Sequence, residues 1–218
     1  MKNFLTIVFI FTITQVKSQA PTWEWARSPT TGSGILSLGE GWSNAADANG
    51  NNYLVGFFRD TLIFGTATLT NLGGGFTAYV SKYNSSGNEL WAKQVNGYSW
   101  GNNVATDASG NVYMAGSFQA DSILIDTIVL HNIGWYDIFI SKYDPLGNIL
   151  WAKNFTGRLS GIATDVLGNV YVTGYFDNTS IALDSFILTN TDSTTSSSDF
   201  FLVKFDLNGN VIWARSGI

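Results

Sequence analysis

The 218-residue chain has no cysteine, one histidine, three prolines and only 12% charged residues, with no run of lysine or arginine. Without cysteine there can be no disulfide, no zinc–thiolate centre and no thiol nucleophile. A single histidine, His131, excludes a metal site built from several imidazoles. A formal net charge of −5 leaves no basic surface for a phosphate backbone, so nucleic acid is not expected as a partner. What the chain does have is 45% hydrophobic and 15% aromatic residues, and 23 glycines. That composition is too apolar for disorder and fits a strand-rich globular protein with many tight turns.

Residues 1–18 read as a signal peptide: Lys2 precedes the apolar run FLTIVFIFTI from Phe4 to Ile13, and cleavage is expected after Ser18, or after Ala20. A run of about ten residues is too short to span a bilayer. The mature chain is therefore expected to carry no transmembrane segment and to be secreted or held in the cell envelope.

The remainder repeats itself. AYVSKYNSSGNELWAK (Ala78 to Lys93), IFISKYDPLGNILWAK (Ile138 to Lys153) and FLVKFDLNGNVIWAR (Phe201 to Arg215) are versions of one phrase, with Trp91, Trp151 and Trp213 spaced 60 and 62 residues apart. A second phrase, NAADANGNNYLVGFF (Asn44 to Phe58), returns as VATDASGNVYMAGSF (Val104 to Phe118) and IATDVLGNVYVTGYF (Ile162 to Phe176). Both contain Asp or Asn, two residues, Gly, Asn, followed by alternating Val, Ile, Tyr and Trp. An Asx side chain closing on its own backbone, with Gly three residues later at positive φ, is the chemistry of a four-residue hairpin loop on a type I turn. Six such turns, from Asp47, Asn84, Asp107, Asp144, Asp165 and Asp206, give two hairpins and hence four strands per repeat. A third phrase, beginning at Leu62, Ile123 and Ile181, reads as a smaller accessory hairpin. The Ser/Thr tract from Thr191 to Asp199 reads as a solvated loop.

The expected fold class is all-β: a propeller-type array of four-stranded antiparallel blades, about three blades plus one extra strand. The blades are assigned to residues 32–93, 94–153 and 154–218, and WEWAR at 23–27 is a stray copy of the last strand of a repeat. Closed propellers use about four to eight blades. The array is therefore read as incomplete or open: a truncated frame, an arc that needs a partner, or one that closes by self-association through open blade edges.

Asp-x-x-Gly-Asn-Val-Tyr, the Gly-x-Phe step and Lys-Tyr-Asp-x-x-Gly-Asn-x-x-Trp-Ala-Lys resemble the bacterial β-propeller repeat (SBBP repeat) family over nearly all of Trp23 to Arg215. The resemblance implies a bacterial secreted or surface propeller and is silent on activity. The half-phrase Asp-x-x-Gly-Asn-x-x-Trp is also similar to quinoprotein dehydrogenase repeats, but the cationic residues and extra blades that such a cofactor needs are not visible. The expected function is a non-catalytic binding or scaffold module for a protein or glycan, not an enzyme, with no cofactor and no metal. The alternatives are a fragment of a larger propeller enzyme or quinoprotein-like cofactor protein, and a structural spacer or non-functional truncated product.

Candidate sites follow from position in the repeat. Asp47 and Asp206 begin loops with oxygen side chains at alternate positions, as a calcium loop does, but no downstream acid completes them, so hairpin turns are the reading. His131 aligns with Thr70 and Thr189 and has no marked acid or nucleophile. Trp91, Trp151 and Trp213 recur and are assigned to packing between blades. Trp42, Trp100 and Trp135 do not recur and are read as lying in Gly- and Asn-rich connections; with Tyr136 they form the candidate ligand surface.

Overall fold

A computed structural model of the protein describes residues 24–32, 34, 37–191 and 197–217. The expected signal peptide over 1–18, Trp23, and residues 192–196 of the Ser/Thr tract lie outside the described residues. Among those described there are nineteen strands and no helix.

Three four-stranded antiparallel units carry the fold. The first is β2 (Leu38–Ala46), β3 (Asn52–Arg59), β6 (Thr77–Tyr83) and β7 (Glu89–Asn96). The second is β8 (Ser99–Thr106), β9 (Val112–Phe118), β12 (Asp137–Tyr143) and β13 (Ile149–Thr156). The third is β14 (Arg158–Thr164), β15 (Val170–Phe176), β18 (Asp199–Phe205) and β19 (Val211–Ser216). Strands are neighbours in the order named. Period-2 alternation explains the faces: in β18, Phe201, Val203 and Phe205 are buried, whereas Phe200 and Leu202 are exposed.

All six Asx–Gly turns close as the local chemistry requires. In the turn at Asp144 the carboxylate Oδ1 accepts the backbone N–H groups of Leu146 and Asn148, each at 2.9 Å. Gly147, at φ 86°, donates its N–H to the Asp144 carbonyl at 3.0 Å. The left-handed φ is why glycine is needed there.

The third phrase forms accessory hairpins: β4 (Thr61–Phe64) with β5 (Ala67–Thr70), β10 (Ser122–Ile125) with β11 (Ile128–His131), and β16 (Ser180–Leu183) with β17 (Phe186–Thr189). β10 also pairs with β7, joining Leu124 to Asn96 and Ile125 to Val95, so the second unit's accessory hairpin extends the first unit's sheet. β4 pairs in the same way with β1 (Thr30–Thr31). The strand expected at 23–27 forms no ladder over Glu24–Arg27, and the first paired residues among those described are Thr30 and Thr31. The N-terminal segment thus stands where the outer strand of a preceding unit would.

The units stack face to face. Ala78 and Val80 of the first share a core with Met114, Phe118 and Phe139 of the second. Ile138 and Ile140 of the second share another with Val172, Phe201 and Val203 of the third. The leading strand of each unit crosses the preceding one, β8 touching β2, β3 and β6, and β14 touching β8, β9 and β12. The fold is an all-β, propeller-like array of blades in which no sheet closes on itself among the described residues.

Candidate functional site

Two sets of tryptophans occupy different environments. In the recurrent set Trp91 and Trp151 form the joints between blades, whereas Trp213, assigned from its repeat position to the same role, packs on Tyr171 of its own blade and meets no other blade among the described residues. Trp91 Nε1 and Lys82 Nζ both donate to the Pro145 carbonyl, at 3.2 and 2.8 Å. One blade on, Trp151 Nε1 and Lys142 Nζ both donate to the Leu207 carbonyl, at 3.1 and 3.0 Å. Trp25 Nε1 donates to the Ser85 carbonyl at 2.9 Å. Each indole lies on the turn glycine of the next blade, Gly87, Gly147 or Gly209, leaving no room for a Cβ.

A buried hydroxyl completes each of the two joints between blades. The Tyr113 hydroxyl lies 2.9 Å from Asp107 Oδ2 and 3.2 Å from the Gly168 carbonyl, sharing its proton between them. Tyr53 stands likewise between Asp47 Oδ2 (3.1 Å) and the Gly110 carbonyl (3.3 Å). Burial, reinforced by the neighbouring aspartates, pushes both phenols well above their usual range. Burial alone would raise the Asp47 carboxyl, but hydrogen bonds from Asn51, Tyr53 and Asn49 outweigh it and hold the group below the usual carboxylate range. With its oxygens engaged by those donors, the Asp47 carboxylate closes a hairpin turn, as the sequence indicated. His131 is exposed at the end of β11, where its carbonyl accepts a hydrogen bond from Asn154 Nδ2 at 2.8 Å.

The non-recurrent aromatics form a continuous row. Trp42 meets Phe57 edge-on (4.9 Å between centroids), Phe57 meets Phe76 (4.9 Å), Phe76 meets Trp100 (6.3 Å), and Trp100 stacks on Tyr136 (5.9 Å). Tyr98 bridges Phe76 and Trp100, at 6.2 and 4.5 Å. Arg59 lies over Phe76 and Arg158 over Tyr136, at 5.5 and 5.7 Å, adding cation–π attraction along the row. The sequence marked Trp42, Trp100 and Tyr136 but not Phe57, Phe76 or Tyr98. Phe57 reads as ordinary strand alternation, and only stacking of the blades brings it into the row.

Two placements need correction. Trp42 and Trp100 are not in connections: they lie within β2 and β8. Each strand has a β-bulge, between Gly41 and Ser43 and between Gly101 and Asn103, and Trp42 is itself the extra, unpaired residue. The glycines that resemble loop residues serve close approach instead. A Cβ on Gly116, opposite Gly101, would overlap the Trp100 carbonyl oxygen, and one on Gly101 would lie 2.7 Å from the Gly56 carbonyl oxygen.

Trp135 does lie in a connection, between β11 and β12, and is 77% exposed; Trp42 is 50% exposed, and Trp100 and Tyr136 are half-buried. Trp135 forms a ridge between two hollows. One, of about 550 Å³, is lined by Tyr98, Gln119, Asp121, Asn132, Gly134 and Trp135. The other, of about 180 Å³, lies between Trp135, Tyr136, Thr156 and Arg158, whose guanidinium is 3.7 Å from Asp177. Chemically this is an exposed indole face with amide, carboxylate, phenol and guanidinium groups on either side. No group of three His, Asp or Glu side chains converges as a metal site among the described residues.

No protein-family model matches the chain. An uncharacterized WD repeat-containing protein of Acanthamoeba polyphaga mimivirus is 30% identical over an alignment of 173 residues that covers 62% of this chain. The match spans only 12% of that relative's length. A solved protein of unknown function from Bacteroides caccae aligns over 82% of each chain at 12% identity, with a TM-score of 0.30, which is too low to bear on fold or function. Together with the stacked four-stranded sheets, the viral relative makes this a repeat, β-propeller-like protein.

Proposed function

We propose that the protein is an exported, non-catalytic binding module of the bacterial β-propeller repeat type, and that its ligand is a glycan held across Trp135. The supporting observation is the exposed Trp135 indole standing between two hollows lined by polar side chains. Flat aromatic faces stack on the apolar face of a pyranose ring, while neighbouring amides and carboxylates take its hydroxyls. In this reading Tyr98, Gln119 and Asp121, which line one hollow, would meet one sugar unit, and Tyr136 and Arg158, which line the other, the next. Export is supported by the apolar stretch Phe4 to Ile13 and the small residues after it.

Titration against a panel of soluble polysaccharides, followed by tryptophan fluorescence, tests this reading. Saturable quenching that Trp135→Ala abolishes and Trp42→Ala leaves intact is expected. Absence of any glycan response, or a response indifferent to Trp135→Ala, overturns it. A second reading, a protein ligand, is favoured by the row Trp42–Phe57–Phe76–Trp100–Tyr136 with its two arginines, because interface anchors are enriched in Trp, Tyr and Arg. In that case Trp42→Ala would be the more damaging change. Detection of the chain in the culture medium or envelope fraction, starting at residue 19 or 21, tests export.

A further inference from the structure

The third blade repeats the joint chemistry of the first two, yet nothing stands opposite it among the described residues. Register makes the comparison direct: Lys82, Lys142 and Lys204 pair across the sheet with Trp91, Trp151 and Trp213, and with Tyr53, Tyr113 and Tyr171. In the first two blades this face is sealed: Ala78 and Val80, and Ile138 and Ile140, are each 0% exposed. At the same positions in the third blade, Phe200 is 59% and Leu202 36% exposed, and Tyr175 beside them is 41% exposed. The polar groups have no partner on another blade among the described residues. Lys204 turns to Asp165 (3.4 Å) and Tyr171 of its own blade, the Tyr171 hydroxyl donates to Asp165 Oδ2 (3.2 Å), and no acceptor meets Trp213 Nε1 among the described residues.

The other end of the array is short of the matching donors. The Pro145 and Leu207 carbonyls each take an indole and an ammonium, whereas the Ser85 carbonyl takes the Trp25 indole alone. The Gly110 and Gly168 carbonyls each take a tyrosine hydroxyl, whereas no donor meets the Gly50 carbonyl among the described residues. Trp25 comes from a segment, Glu24–Pro29, that is in no strand and is largely exposed.

We propose that two copies of this chain associate head to tail, the third blade of each seating on the first blade of the other. Trp213 then replaces Trp25 on the Ser85 carbonyl and Gly87, Lys204 joins it there, and Tyr171 reaches the Gly50 carbonyl. The occupant is a second copy because the donors that lack a partner blade at one end, Trp213, Lys204 and Tyr171, match in kind and repeat position those that the Ser85 and Gly50 carbonyls lack at the other. Two sets of the three described blades make six, within the range of about four to eight in which propellers form rings. Burial of Phe200, Leu202 and Tyr175 supplies the apolar contribution, as Ile138 and Ile140 do inside the chain.

Light scattering and sedimentation of the purified chain over a wide concentration range test the proposal. A monomer–dimer equilibrium is expected. Trp213→Phe, which keeps the ring and loses the N–H, should weaken association about tenfold, as loss of one hydrogen bond with a buried acceptor predicts. Trp25→Ala should strengthen it, by removing the competitor for the Ser85 carbonyl. Opposite signs from two tryptophan substitutions cannot arise from misfolding alone, and circular dichroism of each variant checks the fold. A monomer at every concentration in both the unmodified chain and Trp25→Ala overturns the proposal. So does a dimer indifferent to both substitutions, or a ladder of larger oligomers in place of a closed pair.

Discussion

Trp151 and Trp135 lie sixteen residues apart and obey opposite rules. Trp151 is one of a set of interchangeable residues: its indole meets a turn carbonyl, a turn glycine and a lysine partner just as Trp91 does a blade earlier. Trp135 has no counterpart, because Gly75 and Ser197 hold the equivalent positions in the other repeats. The comparison teaches that repetition here marks what holds the blades together, and departure from repetition, at Trp135, marks a side chain left in solvent. A residue that must fit the next blade is fixed by that blade, and a residue that faces solvent is not.

The comparison can be broken most severely at Gly116. Gly116→Ala drives a Cβ into the Trp100 carbonyl at the bulge and should cost about 4 kcal/mol or more, leaving a chain that does not give a cooperative melt. Next comes the joint itself. Trp151→Ala removes a half-buried indole and leaves the Leu207 carbonyl and Lys142 with a gap between them; a loss of about 3 kcal/mol by urea unfolding is expected. If Trp91→Ala and Trp151→Ala differ greatly, the joints are not equivalent.

Alkali sharpens the same contrast. Tyr53 and Tyr113 have folded-state values raised above that of the unfolded chain, so their contribution is fully present below about pH 10 and is lost as pH rises beyond it. Tyr113→Phe should flatten the alkaline limb of the stability profile. Acid acts on the turns with the opposite sign. Asp47, Asp144, Asp165 and Asp206 have depressed folded-state values, so their contribution is present above about pH 4 and falls away below it. Asp144→Asn should lose that acid dependence and little else, since Asn84 closes its own turn with the same Oδ1 bonds to Ser86 and Asn88. The smallest effect on stability belongs to Trp135→Ala, within about 0.5 kcal/mol, although its expected effect on ligand binding is the largest.

The parts of the molecule that were legible in its sequence are those written within a few neighbouring residues. An Asx followed three residues later by Gly closes a turn through bonds spanning at most four residues, so all six turns could be placed. The recurrence of Trp91 and Trp151 likewise disclosed a joint before its partners were known. The aromatic row was only partly visible. Trp42 and Trp100 sit beside Gly41 and Gly101, which look like loop glycines but serve a bulge and the crossing of β8 over β3. Phe57, Phe76 and Tyr98 gave no sign, because their contacts with one another join separate strands and connections. The pairing of β10 with the preceding blade is equally non-local.

That pairing bears on how the chain matures as it is made. The free edge of β7 is met only when β10 arrives, after β8 and β9 have already formed their own hairpin. The first blade therefore presents an unprotected edge at β7 while the second is still being synthesised, and the second repeat acts as the chaperone of the first. Slow translation between Asn96 and Ser122 would lengthen that exposed interval, whereas the same delay inside a turn would matter little.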